Sequence, residues 1–319
     1  MAPQESPPAV VGAGSIGVAF ALVFARAGFA VHLQDPDPHR LEQAPEEIRS
    51  RLEGLREHDL LQEPAEDVLA RIRTVDDLAE AVRGTVLVQE CAPERLDLKA
   101  RLFAALDRLA DAGTVLASSS SALTTSSFAT DLGGRARCLV AHPGNPPYLL
   151  PVIELVPAPF TASSSVDRAR SVYEHAGLSP VLVEREVEGF VFNRLQGALL
   201  REAYCLVRDG VASVEAVDRV VREGLGRRWA FMGPFETVDL NTRGGIVSHA
   251  EKMGPAYYRM GRERGQDDPW TDDVVGTVSA QRRHLLPLEE WEARVLWRDE
   301  QLMRLTQLFQ RPDRPPHRA

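Results

Sequence analysis

Ala9-Val10-Val11-Gly12-Ala13-Gly14-Ser15-Ile16-Gly17, continuing through Val18–Gly28 to Ala30-Val31-His32-Leu33-Gln34-Asp35, is the stretch that decides the fold. A short apolar run after Pro7-Pro8 predicts a strand. The pattern VAFALVFARAG, closed by Gly28, predicts a helix, and the second apolar run predicts a second strand ending at Asp35. Strand, turn, helix and strand within about 30 residues make a βαβ unit. Each glycine has its own task. Gly12 permits the tight turn, Gly14 lets the backbone approach a diphosphate, and Gly17 lets the helix pack closely on the strand. The loop Gly12, Gly14, Ser15, Ile16 and Gly17 therefore presents helix-start amides to an anion. Asp35 stands 18 residues after Gly17, where a carboxylate accepts hydrogen bonds from an adenosine ribose. It would repel a 2′-phosphate, and Pro36 rather than Arg follows it. The expected cofactor is NAD rather than NADP.

Outward from that unit the pattern keeps alternating. Residues from Asp37-Pro38 to about 73 read as helical and charged, with a break near Pro64, and a further helix runs from Thr74 to Gly84. Strands are expected at 86–91, 114–117, 138–142, 152–156 and 181–184, with helices at about 94–110 and 163–176. This is the pattern of a mostly parallel, doubly wound, Rossmann-type α/β sheet. After 187 the chain reads as helical throughout. The expected organisation is a cofactor domain over 1–187, an all-α domain over 188–310, and a disordered Pro/Arg-rich tail over 311–319.

Composition narrows the function. The 319 residues carry 37 basic and 46 acidic side chains, a net charge of −9. That argues against nucleic acid or an anionic membrane as partner. No apolar run reaches the ~20 residues of a membrane span, and the N-terminus lacks the basic n-region of a signal peptide. Three scattered cysteines without a CxxC oppose a disulfide framework or structural zinc, so no metal is expected. The expectation is a cytoplasmic protein. Only two lysines (Lys99, Lys252) and three asparagines (Asn145, Asn193, Asn241) occur, so their positions carry weight.

Alcohol oxidation by NAD needs a base to take the hydroxyl proton, and histidine titrates near neutrality. His142 closes the apolar run Cys138–Ala141, and strand ends line the ligand crevice of such sheets. Glu154 stands alone in VIELV, where a solitary carboxylate is costly unless partnered. A His142–Glu154 pair would orient the imidazole. Blander readings remain beside these: a satisfied strand-end histidine, and a glutamate facing solvent from an edge strand. A serine hydrolase built on Ser121 and His142 lacks a GxSxG elbow.

The stretches VVGAGSIG (10–17), QECAPERLDLK (89–99), AHPGNPPYLLPVIELV (141–156) and GFVFNRL (189–195) resemble the 3-hydroxyacyl-CoA dehydrogenase superfamily. Within it, EGLGRRWAFMGPFET (223–237) and WRDEQLMRL (297–305) look like the lambda-crystallin, or L-gulonate 3-dehydrogenase, branch. The resemblance implies His142 as base and Glu154 as its orienter. It implies a substrate-binding serine at Ser121, with Ser120 as rival in the run Ser118–Ser121. It further implies Asn193 near the substrate or the histidine, Asn145 near the nicotinamide, and Glu94 and Lys99 as cofactor contacts. A helix cap for Glu94 and a solvated helix face for Lys99 are the plain alternatives. A homodimer through the helical domain is also implied.

The substrate is narrowed by charge. Residues 40–67 hold four arginines against nine acids, a net −5, which is a poor surface for coenzyme A phosphates. Arg228, in Gly224–Phe231, is placed to clamp a free carboxylate, unless it is a surface charge. The expected reaction is oxidation of the 3-hydroxyl of a small 3-hydroxy acid, with L-gulonate the best single candidate. L-carnitine, its ammonium shielded by Trp229 and Phe231, and a 3-hydroxyacyl-CoA are the alternatives. A crystallin-like structural protein or an NAD-binding redox sensor is the non-enzymatic one.

Overall fold

The computed structural model describes residues 6–230, 232–241, 245–264 and 287–309, with scattered positions between 273 and 284. The expected tail at 311–319 and the side chain of Phe231 lie outside the described residues. β1 (Pro8–Val11), α1 (Ser15–Arg26) and β2 (Val31–Gln34) form the opening unit. There follow α2 (Pro38–Glu57), α3 (Ala65–Leu69), β3 (Ile72–Val75), α4 (Leu78–Val82), β4 (Leu87–Glu90), α5 (Leu96–Leu109) and β5 (Val115–Ser118). Then come α6 (Thr125–Ala129), β6 (Cys138–Pro143), β7 (Val152–Pro157), α7 (Ser163–His175) and β8 (Ser179–Leu182).

The eight strands lie in the order β3-β2-β1-β4-β5-β6-β7-β8. All pairs are parallel except β6 with β7. The order reverses between β1 and β4, which places the ligand crevice beyond the ends of those strands. β1 and β4 are buried along their whole length, because helices cover both faces of the sheet. On one face Phe20 and Leu22 of α1 pack with Ile48 and Leu52 of α2 and Val172 of α7. On the other, Phe103 and Leu106 of α5 pack with Phe128 of α6.

Two strands depart from the sequence reading. β3 falls where the sequence reading ends one helix near 73 and starts the next at Thr74. It is an edge strand whose Arg73 and Thr74 are exposed and of which only Val75 is fully buried, so no alternation marks it. β8 starts two residues before the expected 181 and lies on the opposite edge, largely exposed.

The remaining helices are α8 (Phe192–Arg208), α9 (Val214–Val220), α10 (Gly226–Trp229), α11 (Pro234–Asn241), α12 (Gly245–Arg264) and α13 (Trp291–Phe309). A π-helical turn, Val221–Leu225, joins α9 to α10. The chain packs as two units. The first runs to Arg194 and resumes at Leu296, and the second is Leu195–Val295. The sequence reading divides the chain at 187 and assigns its last helix to the second domain. Here α13 returns to the first unit from Leu296 onward, because Met303 and Leu302 join its core and Tyr148 donates to Asp299 Oδ2 at 3.4 Å. Among the described residues no helix is long and apolar enough to cross a membrane.

Candidate active site

The cofactor loop is built as its glycines require. Gly12 has φ +104°, a conformation that favours glycine. A Cβ on Gly17 would stand 1.7 Å from the carbonyl oxygen of Gly12, so only glycine lets α1 sit this close. Gly14 faces open space, with nothing within 4 Å of where a Cβ would point. No described side chain caps α1, and its first turn carries no acid. Those amides and that open face fit a diphosphate, which accepts hydrogen bonds and complements the helix start. Asp35 Oδ2 accepts from the Ala13 amide at 2.7 Å, and Oδ1 accepts from the Asp37 amide at 2.9 Å. The carboxylate is thereby pinned at the end of β2 beside the loop. Arg51 adds a cation that sequence reasoning missed. It donates to the Ser15 carbonyl at 3.1 Å and to Ser15 Oγ at 3.3 Å.

His142 and Glu154 are directly opposed across the antiparallel β6–β7 pair. Both are buried, and His142 Nδ1 lies 2.8 Å from Glu154 Oε2. Glu154 Oε1 accepts from the backbone amides of Val191 at 2.8 Å and Phe192 at 3.0 Å. Burial pushes this carboxyl upward in pKa, but the hydrogen bonds from His142, Phe192 and Val191 together hold it below its usual value. The rings of Phe190 and Phe192 lie 5.6 and 6.0 Å from the imidazole.

The serine run is ordered by Glu94. Its Oε1 lies 2.6 Å from Ser120 Oγ and accepts from the amides of Ser121, Ala122 and Leu123 at 3.1, 3.1 and 3.3 Å. Ser120 is buried and its hydroxyl committed, whereas Ser121 is exposed. Asn193 Nδ2 donates to the Ser121 carbonyl at 2.9 Å. Glu154, the start of α8, Asn193 and Ser121 are thus joined by consecutive contacts. Asn145, three residues beyond His142, is exposed.

Lys99 does not lie on a solvated helix face but is fully buried. Its ammonium lies 2.9 Å from each oxygen of Glu90, 3.2 Å from the Ala92 carbonyl and 3.5 Å from Glu94. Ser118 Oγ donates to Glu90 Oε2 at 2.5 Å. Burial pushes the Glu90 carboxyl upward, against Lys99 and Ser118. Lys99 and Glu94 therefore brace the serine loop from beneath. Glu90, another solitary acid in an apolar strand, bears the same sequence signal as Glu154. Arg228 belongs to the second unit, where it is exposed and donates to Asn241 Oδ1 at 3.2 Å.

A doubly wound sheet with a diphosphate loop, an acidic β2 terminus and a buried His–Glu pair near the strand ends defines a dinucleotide-dependent oxidoreductase. Residues 8–187 match the 3-hydroxyacyl-CoA dehydrogenase NAD binding domain, and residues 189–282 match the C-terminal domain of the same family. The chain is 41% identical over 310 residues to lambda-crystallin of Oryctolagus cuniculus, covering 96% of this chain and 97% of that one. It is 39% identical over 264 residues to L-carnitine dehydrogenase of Streptomyces griseus, covering 82% of this chain and 75% of that one. Among solved structures, the NAD+-dependent dismutase 5-formyl-3-hydroxy-2-methylpyridine 4-carboxylic acid 5-dehydrogenase superposes with a TM-score of 0.79 at 27% identity, covering 96% and 98%. The chain belongs to the 3-hydroxyacyl-CoA dehydrogenase family, and it is an NAD-dependent dehydrogenase.

Proposed function

We propose that this enzyme oxidises the 3-hydroxyl of a small free 3-hydroxy acid, with L-gulonate the best single substrate and 3-dehydro-L-gulonate the product. The observation that carries the chemistry is the buried 2.8 Å contact between His142 Nδ1 and Glu154 Oε2. An ionised Glu154 only accepts, so Nδ1 of the neutral imidazole carries the proton and Nε2 keeps a lone pair. Nε2 is then the atom that takes the hydroxyl proton, and Glu154 stabilises the imidazolium that results. Bound NAD supplies an acceptor for the two electrons and the hydrogen lost from the carbinol carbon. The exposed Ser121 hydroxyl holds the reacting oxygen, and Asn193, anchored on the Ser121 carbonyl, completes the substrate side.

Charge supports the free acid. The segment 40–67 is acidic, a poor partner for coenzyme A phosphates. Arg228 has donors beyond the one given to Asn241, the fork that a free carboxylate would need. L-Carnitine is the runner-up, supported by the relative of that activity and by exposed Trp229. A 3-hydroxyacyl-CoA is the third reading, supported by the family. The reading also takes the enzyme as a cytoplasmic homodimer joined through the helical segment. Exposed Phe235, Leu240 and Val247 support the dimer, and scattered cysteines without a CxxC support the reducing compartment. Sedimentation at micromolar concentration tests the dimer.

The deciding experiment follows NADH absorbance at alkaline pH with a panel of L-gulonate, L-carnitine, 3-hydroxybutyrate and 3-hydroxybutyryl-CoA. The expected result is the highest kcat/KM for L-gulonate. Arg228→Ala should raise KM for the free acid and leave a thioester nearly unchanged. Turnover of 3-hydroxybutyryl-CoA far above every free acid overturns the assignment.

A further inference from the structure

Phe190 occupies a conformation that its residue type resists. Its φ is +50°, and among the described residues only one other non-glycine, Asp59, has a positive φ. A Cβ makes the left-handed region costly, and such residues persist where the surroundings over-determine them. Gly189 before it is also left-handed, at φ +76°. Together they reverse the chain, with the Phe190 amide donating to the Val187 carbonyl at 3.0 Å. Out of that reversal the next two amides, Val191 and Phe192, point at Glu154 Oε1.

We infer that Phe190 is a positioning residue for the His142–Glu154 pair, a role that rests on His142 being the base. It acts in two ways. Its backbone turns the start of α8 onto one oxygen of Glu154, so the carboxylate cannot rotate away from His142 without breaking two hydrogen bonds from backbone amides. Its ring, fully buried, lies against the imidazole at 5.6 Å between centroids. Glycine would make the same turn without strain. What glycine lacks is the ring, and cover for the imidazole is the compensating gain that keeps phenylalanine here. Glu154 is the charged partner the structure assigns to the imidazole, so the fixed carboxylate and the apolar ring together select one tautomer and one ring orientation.

The test uses the full chain with NAD and three variants. Phe190→Gly keeps the turn and removes the ring. Phe192→Pro removes one amide at the first helical position, where proline is tolerated. Phe192→Leu is the control that removes the Phe192 ring and keeps the amide. Nitrogen-15 NMR of the His142 imidazole across pH reads the tautomer directly, and circular dichroism reports folding. In the parent protein a single Nδ1–H tautomer is expected. F190G and F192P should each mix the tautomers, shift the acidic limb of the kcat/KM profile and lower kcat at least tenfold. KM for NAD should stay within twofold, and F192L, which keeps both amides on Glu154, should keep the parent's single Nδ1–H tautomer. Folded F190G and F192P with imidazole spectra matching the parent at every pH would overturn the inference. A parent protein inert toward all hydroxy acids, with spectra that still change in the variants, would uphold the positioning role and sink the proposed reaction instead.

Discussion

His142 and Glu154 face each other across the one antiparallel pair of an otherwise parallel sheet. Twelve residues separate them in the chain, and the register brings their side chains to the same face. Directly opposed residues on antiparallel strands hold their Cβ atoms about 4.5–5.5 Å apart. That is the spacing at which an imidazole and a carboxylate meet at 2.8 Å. A parallel connection at this position would have carried Glu154 away from the strand end.

Replacing His142 by glutamine should cut kcat by about 10²–10⁴-fold while leaving NAD affinity within twofold. Steady-state kinetics and NAD titration by protein fluorescence measure the two separately. Glu154→Gln should also slow turnover, because a neutral amide beside Nδ1 no longer dictates the tautomer. Retention of full activity by His142→Gln would place the base elsewhere.

Asp35→Ala should weaken NAD binding by about tenfold or more, the cost of losing charge-assisted hydrogen bonds. NADP, relieved of repulsion, should lose less or gain. Calorimetric titration with both cofactors measures the ratio, and an unchanged preference would remove Asp35 from the ribose site.

Lys99→Met leaves Glu90 buried without its cation and should cost about 3–5 kcal/mol. The double variant Lys99→Met, Glu90→Leu should recover most of that, since neither charge then remains. Urea unfolding of the parent, Lys99→Met, Glu90→Leu and the double variant closes the cycle. The Lys99 variant should also raise KM for the hydroxy acid, as the serine loop rests on Glu94, 3.5 Å from this ammonium.

Acid should weaken the site in a defined direction. Glu154 is held below its usual carboxylate value in the folded chain. Its contribution is therefore complete above the unfolded value of about 4.3 and is lost as pH falls through the lower folded value. The stability difference between the parent and Glu154→Gln should shrink as pH falls below about 4. Chemical denaturation at stepped pH measures it, and a difference that grows as pH falls below about 4 contradicts the assignment.

Much of the site was legible in single residues. Gly12, Gly14, Gly17 and Asp35 announce themselves because backbone geometry and charge limit what stands at each position. His142 and Glu154 stood out because a titratable group in an apolar strand demands a partner. Lys99 was not legible in this way: its place on a helix allows a solvated face, and only tertiary packing buries it beside Glu90.

From the amino-acid order alone came the doubly wound sheet and the cofactor class, which follow from local periodicity and the glycine loop, and the pairing of His142 with Glu154, which follows from the cost of isolated charge. The rest was decided by tertiary structure. Ser121 rather than Ser120 is open because Glu94 draws the Ser120 hydroxyl inward. The last helix packs on the first unit because Leu302 and Met303 find apolar cover there. Phe190 is strained because Glu154 needs the amides that follow it. Each of these outcomes depends on groups distant in sequence competing for one position in space, and residue spacing along the chain does not encode that competition.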